Sequence, residues 1–242
     1  MILRFPGTRG EIEESSELHR YHSSIIVEEA DTRILIDYGQ KHDPDLHREI
    51  SNFDALLITH AHPDHYMWTV EENKAVEIPV YLTRETLEYS RNKPLNYRII
   101  EPGKKFSIKD ISVVAYRVIH SLRCPAVCFR LGGKKTIVYA PDIVDTETDK
   151  SIVFKGVDTL IADGSSLNIN MVRRRDGKIF GHTRARTVIN WCKKYGIENL
   201  ILTHFGKQIV TMDLTELEQK LGQYSENRVR VEAAFDGFKK NI

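Results

Sequence analysis

The stretch Ala55-Leu56-Leu57-Ile58-Thr59-His60-Ala61-His62-Pro63-Asp64-His65 decides how this chain is read. Four apolar residues form a buried strand that runs directly into three imidazoles and a carboxylate within six positions. Packing alone gives no reason for such a cluster. Neutral imidazole and ionised carboxylate are good ligands for zinc and related first-row metals. His60 and His62 alternate about Ala61, so a chain leaving the strand can aim both at one ion. Asp64 and His65 follow a proline that turns the chain, so they can face a second ion nearby. The competing reading is a solvated, histidine-rich loop, and the scarcity of histidine, 10 in 242 residues, weighs against chance clustering.

The spacing His-x-His-x-Asp-His after a strand resembles the signature of the metallo-β-lactamase superfamily. That resemblance implies further landmarks, and each is present in order. His120 closes the apolar-rich run Ile111–Ile119. Asp142 follows Thr136–Pro141. His204 follows Asn199–Thr203. Asp37 closes Thr32–Ile36 and would brace the site. The chain departs from many members in continuing the signature with Tyr66-Met67-Trp68, which implies a bulkier wall beside the metals.

The resemblance implies an α/β fold: an αββα sandwich of two mixed sheets flanked by helices, with the metal site at one edge. No Pro/Gly/Ser-rich linker or internal repeat divides the sequence, so residues 1–242 read as one domain. Locally, Ser23–Glu28 and Thr32–Asp37 form a strand pair turning at Ala30-Asp31. Strands are also expected at Val80–Leu82, Tyr97–Ile100, Ile111–His120, Ala126–Leu131, Thr136–Tyr139 and Val229–Phe235. Thr83 is expected to cap a helix over Arg84–Arg91. Thr183 is expected to cap one that runs to Tyr195 and stops at Gly196. Asp213 and Glu216 form a capping box.

A net charge of +1 gives no global basic field for nucleic acid. No apolar run approaches the ~20 residues needed to span a bilayer, and Met1–Gly7 is too short an apolar run for a signal peptide. No membrane partner and a cytoplasmic location are therefore expected. Three cysteines make no disulfide framework. Cys124, Cys128 and Cys192 read as ordinary buried thiols.

The resemblance assigns His60, His62 and His120 to one ion and Asp64, His65 and His204 to another, with Asp142 bridging. The implied cofactor is two divalent metal ions, zinc first, with manganese or iron also suited to the donor set. Two such ions share a water, lower its pKa and polarise an ester or phosphoryl oxygen. Hydrolysis is the reaction class, and His62 and His65 argue against the di-iron redox branch. His19, His22, His42 and His47 fall outside the signature and read as surface or packing residues. His182, in Phe180-Gly181-His182-Thr183, is different. The phosphodiesterase and RNA-processing branches carry a similar segment, whose histidine contacts the scissile phosphate. Imidazole also suits proton transfer near neutral pH. Asp163-Gly164-Ser165 resembles the preceding landmark of those branches. Asp64 and His182 are the expected catalytic residues.

Arg173, Arg174, Arg175, Lys178, Arg184 and Arg186 flank His182. Guanidinium groups recognise phosphate through paired hydrogen bonds, although a charge run is more often a solvated face. Tyr66 and Trp68 suit either stacking on a base or a place in the core. The leading expectation is a metal-dependent phosphodiesterase acting on a small or cyclic phosphodiester. A tRNA 3′-processing endonuclease is second, since no long basic arm that could grip tRNA is visible. A lactone, thioester or other carboxylic-ester hydrolase is third. The expected partner is a small-molecule phosphodiester, ahead of RNA, and a homodimer is compatible with the sequence.

Overall fold

Side-chain alternation builds the strands and the layers together. In Ser24–Glu29, Ile25 and Val27 enter one buried cluster and Ile26 enters another. In Thr32–Ile36, Ile34 and Ile36 share the first cluster and Leu35 the second. Strands buried on both faces carry continuous apolar runs, which is how Ala55–Leu57 reads in the sequence. The computed structural model describes residues 1–70 and 76–242.

One sheet runs, edge to edge, Phe238–Asn241, Ile2–Gly7, Ser24–Glu29, Thr32–Ile36, Ala55–Leu57, Val80–Thr83 and Tyr97–Ile100. The other runs Asp145–Thr146, Ile111–Ile119, Ala126–Gly132, Thr136–Ala140, Thr159–Asp163, Asn199–Thr203 and Arg230–Ala233, with Lys105–Ile108 also paired to Ile111–Ile119. Both sheets are mixed. Antiparallel joints give way to parallel ones after Thr32–Ile36 in the first sheet and after Thr136–Ala140 in the second. Ile25, Ile36 and Leu57 from one sheet meet Phe129, Tyr139, Ile161 and Ile201 from the other in the central layer. Outside the second sheet, Val138, Leu160 and Leu200 pack against Val188, Ile189 and Leu221 of the helices Ala185–Tyr195 and Leu214–Ser225. Outside the first, Leu35 and Leu56 pack with Leu46 and Leu87 of the helices Pro44–Glu49 and Arg84–Tyr89. This is the αββα order expected from the sequence.

Local signals hold in part. Thr83 caps its helix by accepting from Thr86 N, and the helix ends at Tyr89 rather than Arg91. Asp213 accepts from Thr215 N and Glu216 N, while the Glu216 carboxylate pairs with Lys220 instead of closing the box. Gly196 stops its helix at φ 70°, a left-handed conformation that suits glycine. Thr183 does not cap. Its N–H donates to Ile143 O at 2.8 Å, and Arg184 precedes the helix with no side-chain cap. The closing strand is shorter than expected, Arg230–Ala233. The sequence reading missed Ile2–Gly7, Lys105–Ile108, Thr159–Asp163, Phe238–Asn241 and the isolated hairpin Arg173–Arg175/Lys178–Phe180. Among the described residues, no helix is long and apolar enough to cross a membrane. All three cysteines are free and buried.

Candidate metal centre

The ends of six strands deliver the site. Asp37 follows Thr32–Ile36, and His60–His65 follows Ala55–Leu57. His120 follows Ile111–Ile119, Asp142 follows Thr136–Ala140, Asp163 ends its own strand, and His204 follows Asn199–Thr203. Adjacent parallel strands end side by side, so residues far apart in sequence meet at one edge. Asp37 and His204 sit at φ 64° and 57°. Such left-handed backbone is uncommon for side-chain-bearing residues and concentrates at functional sites.

Donor atoms converge in several overlapping groups, two of which match the expected sets. In the first, His62 Nδ1 lies 3.0 Å from His60 Nε2 and 3.2 Å from His120 Nε2. In the second, Asp64 Oδ2 lies 3.3 Å from His65 Nε2 and 3.0 Å from His204 Nε2. Asp142 Oδ2 closes that group at 2.8 Å from His65 Nε2 and 3.3 Å from His204 Nε2. Ligands at ~2.0–2.1 Å around a tetrahedral zinc are separated by about 3.3 Å, so both groups have the size of a coordination shell. The other Asp142 oxygen, Oδ1, lies 3.7 Å from His120 Nε2 and so faces the first group. The carboxylate therefore lies between the two. His182 is also within reach: its Nδ1 is 3.5 Å from Asp142 Oδ1 and 3.0 Å from Asp163 Oδ2.

Charge and hydrogen bonding suit this cluster to cations. Burial alone would raise Asp64, but His65 and His204 hold it well below the usual carboxylate range. Burial is likewise outweighed at Asp142 by His204, His65 and His120. Burial opposes charge on His65, yet Asp64, Asp37 and Asp142 drive it well above the usual imidazole range. This cluster of carboxylates demands positive charge. A proton supplies the charge but not the geometry. His65 Nε2 and Asp142 Oδ2 are buried and, although close, neither has a hydrogen-bond partner. A divalent cation that both bind would satisfy them. Burial lowers His60 and His62 and takes His120 down to about 4, leaving them neutral as ligation requires. The residues fit divalent ions.

A surrounding shell fixes the candidate ligands. His65 Nδ1 donates to Asp37 Oδ2, and Asp37 also accepts from Thr59 N at 2.8 Å and from Thr59 Oγ1 at 2.9 Å. His120 Nδ1 donates to Gly181 O at 3.1 Å. Asp163 Oδ1 accepts from Ser165 N at 2.9 Å, while Oδ2 accepts from Ile143 N at 3.1 Å and also faces His182 Nδ1. Such partners set ring orientation and ligand basicity. The sequence reading gave no role to Thr59 or Gly181, because a backbone carbonyl and a small hydroxyl leave no pattern.

The structure brings His60, His62, Asp64, His65, His120, Asp142 and His204 together, with His182 beside them. It does not bring Tyr66 and Trp68 to the cavity. Both are fully buried in the layer outside the first sheet, so they are core aromatics and not a wall beside the metals. His19 packs on Phe205 and His22 is buried, while His42 and His47 both bond the Tyr38 hydroxyl. The centre opens on a cavity of about 370 Å³. Asp64, His182 and the unanticipated Glu11, Ile12, Met171 and Phe205 line it.

Comparison with known proteins agrees with this geometry. Ribonuclease Z of Methanopyrus kandleri is 28% identical over 148 residues, which cover 56% of this chain and 51% of that protein. The chain thus spans about half the length of the curated relatives it matches. A metallo-β-lactamase fold protein of Bacillus subtilis superposes with a TM-score of 0.70 at 18% identity, covering 99% of this chain and 98% of that one. Human tRNase Z, short form, superposes with a TM-score of 0.69 at 18% identity, covering 100% and 99%. At these identities the solved structures establish the fold. Residues 32–205 match the family described as the β-lactamase superfamily domain, and the chain belongs to that family.

Proposed function

We propose that this chain is a dinuclear metal-dependent hydrolase acting on a small or cyclic phosphodiester. His60, His62 and His120 would hold one ion and Asp64, His65 and His204 the other, with Asp142 shared. Divalent ions bound there lower the pKa of a water and polarise a phosphoryl oxygen. The observation that carries the phosphodiester reading is the setting of His182. Its Nδ1 is engaged by Asp163 Oδ2, which leaves Nε2 as the free nitrogen of a ring that lines the cavity. Burial opposes its charge, but Asp163 and then Asp142 raise it to about 9. An imidazole held at Nδ1 by Asp163 suits donation to the departing alkoxide and contact with a charged phosphoryl group. The Asp64 carboxylate lines the same cavity and stays ionised. It suits orienting a water better than taking its proton.

RNA cleavage is a second reading. The exposed Arg173, Arg174 and Arg175 and the identity with ribonuclease Z support it. A panel on metal-replete protein ranks the alternatives: bis(p-nitrophenyl) phosphate, a cyclic nucleotide, a tRNA precursor, a lactone and a thioester. The proposal expects chelator-sensitive cleavage of the small diesters. Efficient lactone or thioester turnover without diester cleavage would refute it, and tRNA cutting far faster than the small diesters would promote the second reading.

A further inference from the structure

The Glu11 carboxylate stands at the edge of the metal cavity, and the hydrolysis proposed above does not use it. Glu11 lines the cavity, and 54% of its side chain is exposed. The loop that carries it is pinned on both sides. Gly10 N donates to Phe205 O at 3.0 Å, next to the ligand His204. A Cβ at Gly10 would stand 2.9 Å from His204 Cε1, so only glycine lets this backbone approach the ring so closely. The buried Arg9 then holds the far side, donating from Nη1 to Ile12 O at 2.9 Å and Glu14 O at 3.1 Å.

Behind Glu11 lies a spare donor. His22 Nδ1 accepts from Lys41 N at 3.3 Å, which puts the ring proton on Nε2. That Nε2 is buried, lacks a hydrogen-bond partner and lies 3.9 Å from Glu11 Oε2. A side-chain rotation that shortens this distance would give the carboxylate an anchor.

A carboxylate at this place opposes a phosphodiester that offers only its negative charge. It favours one whose alcohol part presents a hydroxyl donor, because a hydrogen bond to a charged acceptor is strong. Ile12, Met171 and Phe205 line the same cavity and suit a carbon skeleton. We infer that Glu11 is a specificity-determining residue that accepts a hydrogen bond from a hydroxyl on the alcohol part of the substrate, selecting polyol phosphodiesters of glycerol or ribose type. This rests on the phosphodiesterase reading and narrows its substrate class.

Two matched pairs of diesters test it: 2,3-dihydroxypropyl against propyl p-nitrophenyl phosphate, and uridine against 2′,3′-dideoxyuridine 5′-(p-nitrophenyl phosphate). The wild type should prefer the hydroxylated member of at least one pair by about tenfold in kcat/KM, carried mainly by KM. The pair that discriminates identifies the polyol. Glu11→Ala should bring that ratio close to one. Glu11→Gln keeps the shape and a neutral acceptor, should retain a smaller preference, and decides the matter if the alanine variant fails to fold. No preference in either pair, or a preference that survives unchanged in both variants, would overturn the role of Glu11 alone. No cleavage of the four diesters while bis(p-nitrophenyl) phosphate or a cyclic nucleotide is cleaved would overturn this inference; no cleavage of any of them would overturn the phosphodiesterase reading as well.

Discussion

His65 Nδ1 donates to Asp37 Oδ2 at 2.8 Å, and neither side chain reaches solvent. The bond turns Nε2 of the same ring toward Asp64 and Asp142. Asp37 holds this position with a left-handed backbone and a carboxylate also bonded by Thr59. It therefore orients a proposed ligand and lies outside the donor groups. Asn tolerates the same backbone, so Asp37→Asn removes the charge with little local strain. Metal affinity, measured by chelator competition, should fall about 10–100-fold, as expected for a partner that orients a ligand. Unchanged affinity would make Asp37 a folding residue only.

His182 is separable from the metal ligands. His182→Ala should keep its metal content and fold yet lose about 10²–10⁴-fold in rate on unactivated diesters. The loss should shrink with a p-nitrophenolate leaving group, which needs little protonation. Paired metal analysis and kinetics check this. Normal turnover of unactivated diesters by the variant would reduce His182 to a structural neighbour.

Acid should destabilise the fold through His19. Burial lowers this imidazole to about 4, while an unfolded histidine titrates near 6.5. The folded state thus holds His19 neutral. Its stabilisation is complete above pH 6.5 and is lost as pH falls toward 4, on the order of 3 kcal/mol in all. Urea midpoints of wild type and His19→Gln, compared across that window, isolate the contribution from other titrating groups. The wild type should show the steeper decline, and parallel curves would refute the assignment.

The loop donors His60, His62, Asp64 and His65 are legible from local spacing, whereas His120, Asp142 and His204 come with the family resemblance. His60, His62, Asp64 and His65 lie on one short loop. His120, Asp142 and His204 each end an apolar run that alternates or buries both faces. The layer order came with the family resemblance, since local propensity carries no information about which strands pair. Phe238–Asn241 pairs with Ile2–Gly7 from the opposite end of the chain, and no local pattern reports such a partner. Tyr66 and Trp68 were ambiguous because an aromatic ring serves a core or a binding wall equally well. Thr183 does not cap because the helix begins one residue later than local capping rules place it, with Arg184 at the cap position. Glu11 was invisible because only the fold of Arg9 and Gly10 against Phe205 and His204 brings it to the cavity.

The central claim is a pair of ions that share Asp142, and stepwise metal addition to metal-free protein tests it most directly. Bound metal and rate of bis(p-nitrophenyl) phosphate cleavage are followed on the same samples, for wild type and Asp142→Ala. Wild type should saturate at two ions per chain with full activity only at that point, and Asp142→Ala should hold both ions weakly. A plateau of metal and activity at one ion per chain, or an Asp142→Ala protein that loses only one ion, would contradict the account.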